Sequence, residues 1–272
     1  MIRFSDNQDK EKLIELWSEV FGDSREAIEL FFDYHFDCRN TLVSELDGRI
    51  VSMLYLIKGS FVISDESHPS YYLYAAATDC RYRGKGIMAE MLGFAKQTAT
   101  DRGIDFICLL PAEKSLYGFY EKFGYKTVFK KKISEIKINE ITQIKTSEYN
   151  IIDYEMHRKS FFDGYDRFEW NGKDIEYAIR QHEFYGGKAV LNRKGYCLYS
   201  ADEEKIYVKE STLQPYGLFE NGKDVFISLP VGYQSDDSDG EIIDSGMALP
   251  LNEKAASALE KSSNAYLGLT LD

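Results

Sequence analysis

The stretch from residue 72 to residue 88 constrains the fold of this chain more than any other part of the sequence. It begins as an apolar run, passes through a basic turn that contains Gly84 and Gly86, and enters a segment with Met88 and Met91 at helical spacing. Glycines let the backbone bend tightly, and the first turn of a helix offers unpaired amide donors and a positive dipole end. A strand, a glycine turn and a helix in this order therefore predict an anion site made of main-chain N–H groups.

The charges of this turn point to the kind of anion. Arg81, Arg83 and Lys85 lie within it, although the chain as a whole has a formal net charge of −12. Local positive charge beside free amides favours a phosphate-bearing cofactor. Two common phosphate motifs do not fit, because GxxxxGK[ST] is absent and GxGxxG would need glycine where Ala89 stands. Taken alone, the turn leaves open a plain strand-to-helix connection with solvated charges.

Composition limits the class of protein. The chain has 272 residues, of which 44% are apolar, and this predicts one large or two ordinary globular domains. Its excess of acid disfavours nucleic-acid binding and favours a cationic small substrate. No apolar run suits a membrane span or a signal peptide. The four cysteines are far apart and read as reduced, which predicts a cytoplasmic protein.

Hydrophobic periodicity predicts a mixed α/β order in both halves of the chain. In the first half the predicted elements are helices over residues 5–21, 23–40, 86–102 and 112–123, three antiparallel strands within 41–78, and a strand over 105–110. In the second half they are a helical segment with Met156 and Phe161, helices near 173–184 and 252–261, strands at 187–200, 204–211, 224–229 and 265–271, and a short strand between residue 241 and the last helix. A shift of composition after residue 130 predicts a domain boundary near residue 145, which gives domains over 1–145 and 146–272.

Two segments of the first half resemble the hallmarks of one family. Residues 81–86, Arg-Tyr-Arg-Gly-Lys-Gly, match the [Q/R]xxGx[G/A] signature of the GNAT superfamily of N-acetyltransferases, after the fourth strand and at the start of the third helix. Residues 117–125 resemble its second hallmark, FYxxxGF/Y, at the end of the fourth helix. The resemblance covers residues 1 to about 135. It implies an α/β fold with a GNAT-like mixed central sheet flanked by helices, followed by a smaller α/β domain whose helix-then-strands order suggests a degenerate copy.

The resemblance also implies a cofactor and the residues that bind it. The cofactor is acetyl-CoA, and no metal is predicted. The pantetheine arm would pair with the backbone of Ala76, Ala77 and Thr78, where small side chains leave the strand edge open. The pyrophosphate would be held by amides of the turn and the helix start, which belong to Arg81, Arg83, Gly84, Lys85, Gly86, Ile87 and Met88.

For catalysis, the resemblance assigns the general acid by position to Tyr120. A phenol with a pKa of about 10 is close enough to a thiolate leaving group, about 8.5, to donate a proton as charge develops. The carbonyl oxygen would be polarised by a backbone N–H near Ala77. The general base stays open, and the candidates within the first domain are Asp33, His35, Asp37 and Asp79.

The end of the chain carries a second resemblance. Residues 245–251 and 265–272, behind a GNAT-like domain, look like the enhanced-intracellular-survival (Eis-like) type of acetyltransferase. That type uses its last carboxylate as base, which implies this role for Asp272. It acetylates aminoglycosides or lysine amines and often forms hexamers, so a homo-oligomer is also expected.

These inferences give two functional hypotheses. The first is an N-acetyltransferase that moves an acetyl group from acetyl-CoA to a primary amine of a small molecule or peptide, by direct attack in a ternary complex. The second is a non-catalytic acyl-CoA-binding regulatory module. Neither involves nucleic acid or a membrane.

Overall fold

A computed structural model describes residues 1–136, 151–213, 224–233 and 240–271 of the chain. The helices are α1 Lys10–Phe21, α2 Arg25–His35, α3 Ile87–Asp101, α4 Tyr117–Glu121, α5 Ile151–Phe161, α6 Gly172–Phe184 and α7 Glu253–Leu259. The strands are β1 Ile2–Phe4, β2 Thr41–Leu46, β3 Arg49–Ile63, β4 Glu66–Thr78, β5 Phe106–Leu109, β6 Lys126–Ile136, β7 Arg167–Glu169, β8 Lys188–Asn192, β9 Gly195–Ala201, β10 Lys205–Ser211, β11 Asp224–Leu229 and β12 Gly240–Pro250. The predicted mixed α/β fold is confirmed.

The chain forms two compact units that do not follow chain order. The first unit consists of Met1–Ser60, His68–Lys126 and Met247–Glu260, and the second of Phe61–Ser67, Thr127–Gly246 and Lys261–Asp272. The predicted boundary near residue 145 lies outside the described residues, so the division into domains 1–145 and 146–272 stays a prediction.

The first unit has a mixed sheet. Its strand order is β1-β2-β3-β4-β5-β12, in which β1 and β2 and then β2 and β3 pair antiparallel, β4 and β5 pair parallel, and β5 and β12 pair antiparallel. Tight turns separate β2 from β3 and β3 from β4, since Asp47 and Gly48 both have positive φ, as do Ser64 and Asp65. Two consecutive residues with positive φ are typical of the tight turns that match strand twist.

Helix boundaries in the first unit follow from capping residues. Asp6 and Asp9 form a capping box ahead of α1, and Gly22, with a φ of 79°, ends that helix. Ser24 accepts a hydrogen bond from the amide of Ala27 and so caps α2. Each cap satisfies a helix-end group that would otherwise lack a partner.

The core around α3 explains why this helix packs on the sheet. Met91, Leu92, Ala95 and Ala99 recur at intervals of one helical turn and are buried. They share one apolar cluster with residues of the neighbouring strands, which include Leu42, Leu54, Leu56, Leu73 and Ile107. This packing fixes the start of α3 close to the end of β4.

A segment from the C-terminal part of the chain completes this unit. Residues of β12 pair with β5 from Met247↔Leu109 to Pro250↔Phe106. The amide of Leu251 then donates to the carbonyl oxygen of Asp105 at 2.9 Å. Sequence analysis predicted only a short strand in this region and no partner for it.

The second unit combines helices with strands in the order β6-β11-β10-β9-β8. Within it, β8 and β9 form an antiparallel hairpin, so the predicted single strand over 187–200 is wrong. The sequence Asn192-Arg-Lys-Gly195 supplies the turn that divides it. The α/β character of this unit is confirmed, and its origin as a degenerate copy stays a prediction.

The predicted final strand over residues 265–271 is also wrong, because this segment makes only isolated bridges, at Ala265 and Tyr266. Side chains donate hydrogen bonds to two of its carbonyl oxygens, which in a regular strand would pair with a neighbouring strand. Trp170 Nε1 donates to the carbonyl oxygen of Leu267 at 3.0 Å, and Gln181 Nε2 donates to that of Leu271 at 2.8 Å. An apolar run is therefore buried here without forming a regular strand.

Candidate active site

Strand β4 leaves its neighbour β5 before it ends. The parallel pairing of the two strands runs from Ser70↔Phe106 to Tyr72↔Cys108, whereas β4 continues to Thr78. Within this continuation Ala75 has a φ of 46°, which is unusual for a residue with a side chain and interrupts the regular strand. The last part of β4 therefore has one edge that extends beyond its pairing with β5.

The direction of the backbone groups at this edge follows from two contacts. Ser52 Oγ of β3 donates to the carbonyl oxygen of Ala77 at 2.7 Å, and the amide of Asp79 donates to the carbonyl oxygen of Val51 at 2.9 Å. Backbone polar groups alternate between the two edges of a strand. Because the carbonyl oxygen of Ala77 faces β3, the polar groups of Ala76 and Thr78 face the opposite edge. Ala77, which was predicted to pair with the pantetheine arm, is thus turned towards β3 instead.

A row of free amides follows the strand. The amides of residues 81–83 already have acceptors, which are Asp79 Oδ1 and the carbonyl oxygens of Asp79 and Cys80. The backbone N–H groups of residues 84–89, which we call the amide row, donate to no acceptor among the described residues. Gly84 and Gly86 have φ values of 73° and 80°, the left-handed conformation that glycine adopts most readily.

The amide row lies at the N-terminal end of α3, which has 15 residues. Aligned peptide dipoles place partial positive charge at such an end. An anion held here would thus receive several N–H donors and a favourable helix field without any side-chain ligand.

The three predicted cations of the turn lie in different surroundings. Arg81 forms an ion pair with Asp79, and Arg83 Nε donates to the carbonyl oxygen of Thr78 at 3.0 Å. The Lys85 ammonium lies 4.8 Å from the centre of the Tyr82 ring. The structure therefore brings the predicted cofactor residues together at one strand end, with the Arg81 amide and guanidinium both directed at Asp79.

Tyr120 lies on α4, in the same apolar cluster as Met91 and Leu92 of α3. Its side chain is 92% buried, since only 8% of the residue is exposed, and its ring contacts Phe119 and Tyr125 edge to face. Burial raises the pKa of Tyr120 to about 12. Its hydroxyl makes no hydrogen bond with any residue that the structure describes and is not one of the fully buried atoms without a partner, so this oxygen is accessible from outside the protein.

Comparison with known proteins decides the family of this part of the chain. Residues 1–128 match the family model described as an acetyltransferase (GNAT) domain. These residues form a GNAT acetyltransferase domain. The match contains β4, the amide row and Tyr120. No curated protein matches the sequence.

Solved structures share the fold over nearly the whole chain. A GCN5-related N-acetyltransferase from Anabaena variabilis is 13% identical, with a TM-score of 0.73, and the match covers 94% of this chain and 74% of that one. Eis1 from Mycobacterium abscessus is 12% identical, with a TM-score of 0.68 over 94% of this chain and 75% of that one. A probable N-acyltransferase from Enterococcus faecalis is also 12% identical, with a TM-score of 0.70 over 94% and 73%.

The four candidates for the general base within the GNAT domain differ in their surroundings. The Arg81 guanidinium holds the pKa of Asp79 down to about 2, and Arg39 lowers the pKa of Asp37. Such carboxylates accept a proton poorly at neutral pH. His35 packs against the ring of Phe31. Asp33 is exposed, and nothing in the structure assigns it a role.

The remaining predictions concern groups that the structure does not describe or does not test. Asp272 lies outside the described residues, so its carboxylate as base stays a prediction, which deletion of residues 270–272 would test. In the described ranges, no group of three or more His, Cys, Asp or Glu side chains is placed to hold a metal ion. No helix in the described part of the chain is long and apolar enough to cross a membrane.

Sequence analysis missed two features of the site. The amide row extends to Ala89, which the start of α3 at Ile87 explains, because the first N–H groups of any helix lack partners. The positive φ of Ala75 had no signal in the sequence, since alanine is not a residue that favours this conformation.

Proposed function

We propose that the GNAT domain transfers an acetyl group from acetyl-CoA to a primary amine. The observation that carries this proposal is the amide row directly after the open edge of β4. A diphosphate needs several convergent donors, and an amide-bearing arm needs an unpaired strand edge. The two features follow one another along the chain in the order that coenzyme A presents the two groups.

The residues present fit this cosubstrate. The amide row would hold the diphosphate, and the polar groups of Ala76 and the amide of Thr78 would pair with the pantetheine arm, because Arg83 Nε already donates to the carbonyl oxygen of Thr78. The small side chains of Ala76 and Ala77 leave space against the strand. When bound, acetyl-CoA supplies the acetyl group as a thioester.

Tyr120 is the group of this chain that donates a proton in the proposed reaction. Its raised pKa keeps the phenol protonated at neutral pH, and its hydroxyl has no described internal partner that would compete. A free thiol has a pKa of about 8.5, so the phenol is the weaker acid in water. Burial of the sulfur in the same apolar surroundings raises the thiol pKa as well, which narrows this difference.

The acceptor is a primary amine on a small molecule or peptide, and the amine attacks directly in a ternary complex. Net negative charge of the chain favours a cationic acceptor. Because an ammonium group is not a nucleophile, the amine must lose its proton before attack.

The proposal is tested by following release of the coenzyme A thiol with a panel of acceptors. Polyamines, aminoglycosides, amino acids and peptides are offered with acetyl-CoA, and calorimetry measures binding of acetyl-CoA to the same preparation. We expect binding and acceptor-dependent thiol release with at least one class. Tight binding without release across the panel would instead support the regulatory module, and absence of binding would refute both.

A further inference from the structure

Asp79 is a buried carboxylate at the point where the chain leaves β4. Its side chain is 2% exposed, and all its described partners belong to the first unit. Oδ1 accepts the backbone amide of Arg81 at 3.0 Å, and the carbonyl oxygen of Asp79 accepts the amide of Tyr82 at 2.8 Å. Asp79 thus forms the cap on which the 3₁₀ turn Cys80–Tyr82 is wound.

The Arg81 guanidinium is directed at the same carboxylate. Nη2 lies 2.6 Å from Asp79 Oδ2, and Nε lies 3.0 Å from Oδ1. Glu19 at the end of α1 adds a second carboxylate 3.6 Å from Nη2. The Arg81 guanidinium, although half-exposed, is therefore paired with two carboxylates of the protein itself.

The ion pair between Asp79 and Arg81 reduces the positive charge that the turn offers to an anion. Asp79 neutralises the charge of Arg81, whereas Arg83 and Lys85 contact the Thr78 carbonyl oxygen and the Tyr82 ring and form no ion pair with a described carboxylate. A carboxylate beside a diphosphate site would weaken binding by electrostatic repulsion alone. Asp79 is nevertheless buried there and caps the turn. We therefore expect its hydrogen bonds to favour cosubstrate binding by more than the repulsion opposes it.

We propose that Asp79 is a positioning residue for cosubstrate binding, which holds the amide row in place through the turn, and that the Arg81 guanidinium serves Asp79 and not the phosphates. The proposal rests on the proposed function, because it concerns the same diphosphate. The Arg81 amide donates to the Asp79 side chain and the Tyr82 amide donates to the Asp79 carbonyl oxygen. Together these two hydrogen bonds fix the turn and so the position of Gly84, where the amide row begins. Arg81 acts by neutralising and orienting the buried carboxylate.

Electrostatic repulsion and a positioning role predict opposite changes in the affinity for coenzyme A when Asp79 is replaced by asparagine. In Asp79→Asn a negative charge is removed, so electrostatics alone predicts tighter binding of coenzyme A. The amide that replaces the carboxylate can still accept the Arg81 backbone N–H, but its NH2 group would face Arg81 Nη2 where Oδ2 now accepts, so the charge-assisted pair is lost. Loss of that pair at a buried position costs more than an ordinary hydrogen bond, so positioning predicts a dissociation constant raised about tenfold or more. The Michaelis constant for acetyl-CoA should rise correspondingly, with a smaller change in kcat.

The experiment is calorimetry with coenzyme A on the full chain at several salt concentrations, for the wild type, Asp79→Asn, Arg81→Gln and the double variant. We expect both single variants to weaken binding and the double variant to be no weaker than either, because the pair acts as a unit. Arg81→Gln should leave the salt dependence of binding unchanged. Lys85→Gln is the matched control, and it should reduce that salt dependence because the charge of Lys85, unlike that of Arg81, is not paired with a described carboxylate.

Each result decides between the assignments. If Asp79→Asn binds coenzyme A as tightly as the wild type or more tightly, the positioning role is wrong while the proposed function stands. If the wild type does not bind coenzyme A, both are wrong. Should Asp79→Asn fail to fold, Arg81→Gln decides: reduced salt dependence would show a direct phosphate contact and overturn the assignment, and unchanged salt dependence with weakened binding would support it.

Discussion

At the scale of single residues, the hydroxyl of Tyr120 is the group that we expect to act as proton donor. An accessible hydroxyl without a described partner contributes little to stability, whereas a proton donor in the transition state typically contributes on the order of 10²–10⁴ in rate. We expect Tyr120→Phe to lower kcat by about 10²-fold or more and to leave the melting temperature and acetyl-CoA affinity nearly unchanged.

The neighbouring Tyr125 provides the control for this prediction. It is buried in the same cluster, and its ring centre lies 5.5 Å from that of Tyr120. Tyr125→Phe should keep a turnover near that of the wild type. Equal loss of turnover in both variants would show that packing, and not the Tyr120 hydroxyl, sustains the rate.

Asp174, in the second compact unit, is expected to make the free energy of unfolding depend on pH. Burial raises the pKa of Asp174 to about 7, compared with about 3.9 in an unfolded chain. Between these values the unfolded chain is ionised and the folded one holds its proton. The free energy of unfolding therefore falls as pH rises through this window, by about 1.4 kcal/mol per pH unit at most, and levels off above it.

Asp174→Asn should remove this contribution. The amide oxygen can still accept the hydrogen bond that the Asn171 amide makes to Asp174 at 3.2 Å, so the cap of α6 is kept. Urea unfolding should show a stability gain for the variant at both about pH 5 and about pH 8, and the gain should be larger by about 2–3 kcal/mol at the higher pH, because pH 5 lies only about one unit above the pKa of the unfolded chain. An equal gain at both pH values would mean that ionisation of Asp174 is not the cause.

At the scale of elements, the connection from β4 to α3 depends on backbone conformation and not on space. A Cβ placed on Gly86 would meet no atom within 4 Å, yet the φ of 80° is unfavourable for alanine. That conformation costs an ordinary residue about 1–2 kcal/mol, which the chain would relieve by moving the amide row. We expect Gly86→Ala to weaken coenzyme A binding by about tenfold in calorimetry.

Gly93 in the middle of α3 is the matched control. A Cβ there would also meet nothing within 4 Å, but the residue is helical and its φ is not positive. Gly93→Ala should stabilise α3 by about 0.5–1 kcal/mol and leave coenzyme A binding unchanged. If both alanines weaken binding alike, the conformation of Gly86 is not what positions the amide row.

The elements also show which parts of the site could be predicted from sequence. The strand, the glycine turn and the start of α3 are adjacent in the chain, so propensity and helix-end rules are sufficient to predict the amide row. The pairing of Met247 with Leu109 joins residues far apart in sequence, and no local pattern encodes it. The ion pair between Asp79 and Arg81 was missed for another reason. The sequence shows both charges, but whether Arg81 binds Asp79 or a phosphate depends on the conformation of the turn.

At the scale of the whole molecule, the acetyltransferase fold is not built from the first half of the chain alone. Met247 and Leu249 belong to the same buried cluster as Tyr120, and Leu249 approaches the position that a side chain on Gly124 would occupy. Residues late in the chain thus help to desolvate Tyr120 and cover the edge of β5. Such long-range pairing must form before the core of this unit is complete.

A chain ended after residue 145 should therefore fail to form a stable acetyltransferase domain, although it contains both hallmark motifs. Without β12, the edge of β5 would expose backbone donors and acceptors beside the buried Leu109, which favours aggregation. A milder form of the same test is Met247→Ala in the full chain, which should lower the free energy of unfolding by about 2–5 kcal/mol in urea. Ile242→Ala, at an exposed position of the same strand, should change it by less than about 0.5 kcal/mol. A soluble, cooperatively unfolding fragment 1–145 that binds coenzyme A would show instead that the first half of the chain folds without its late strand.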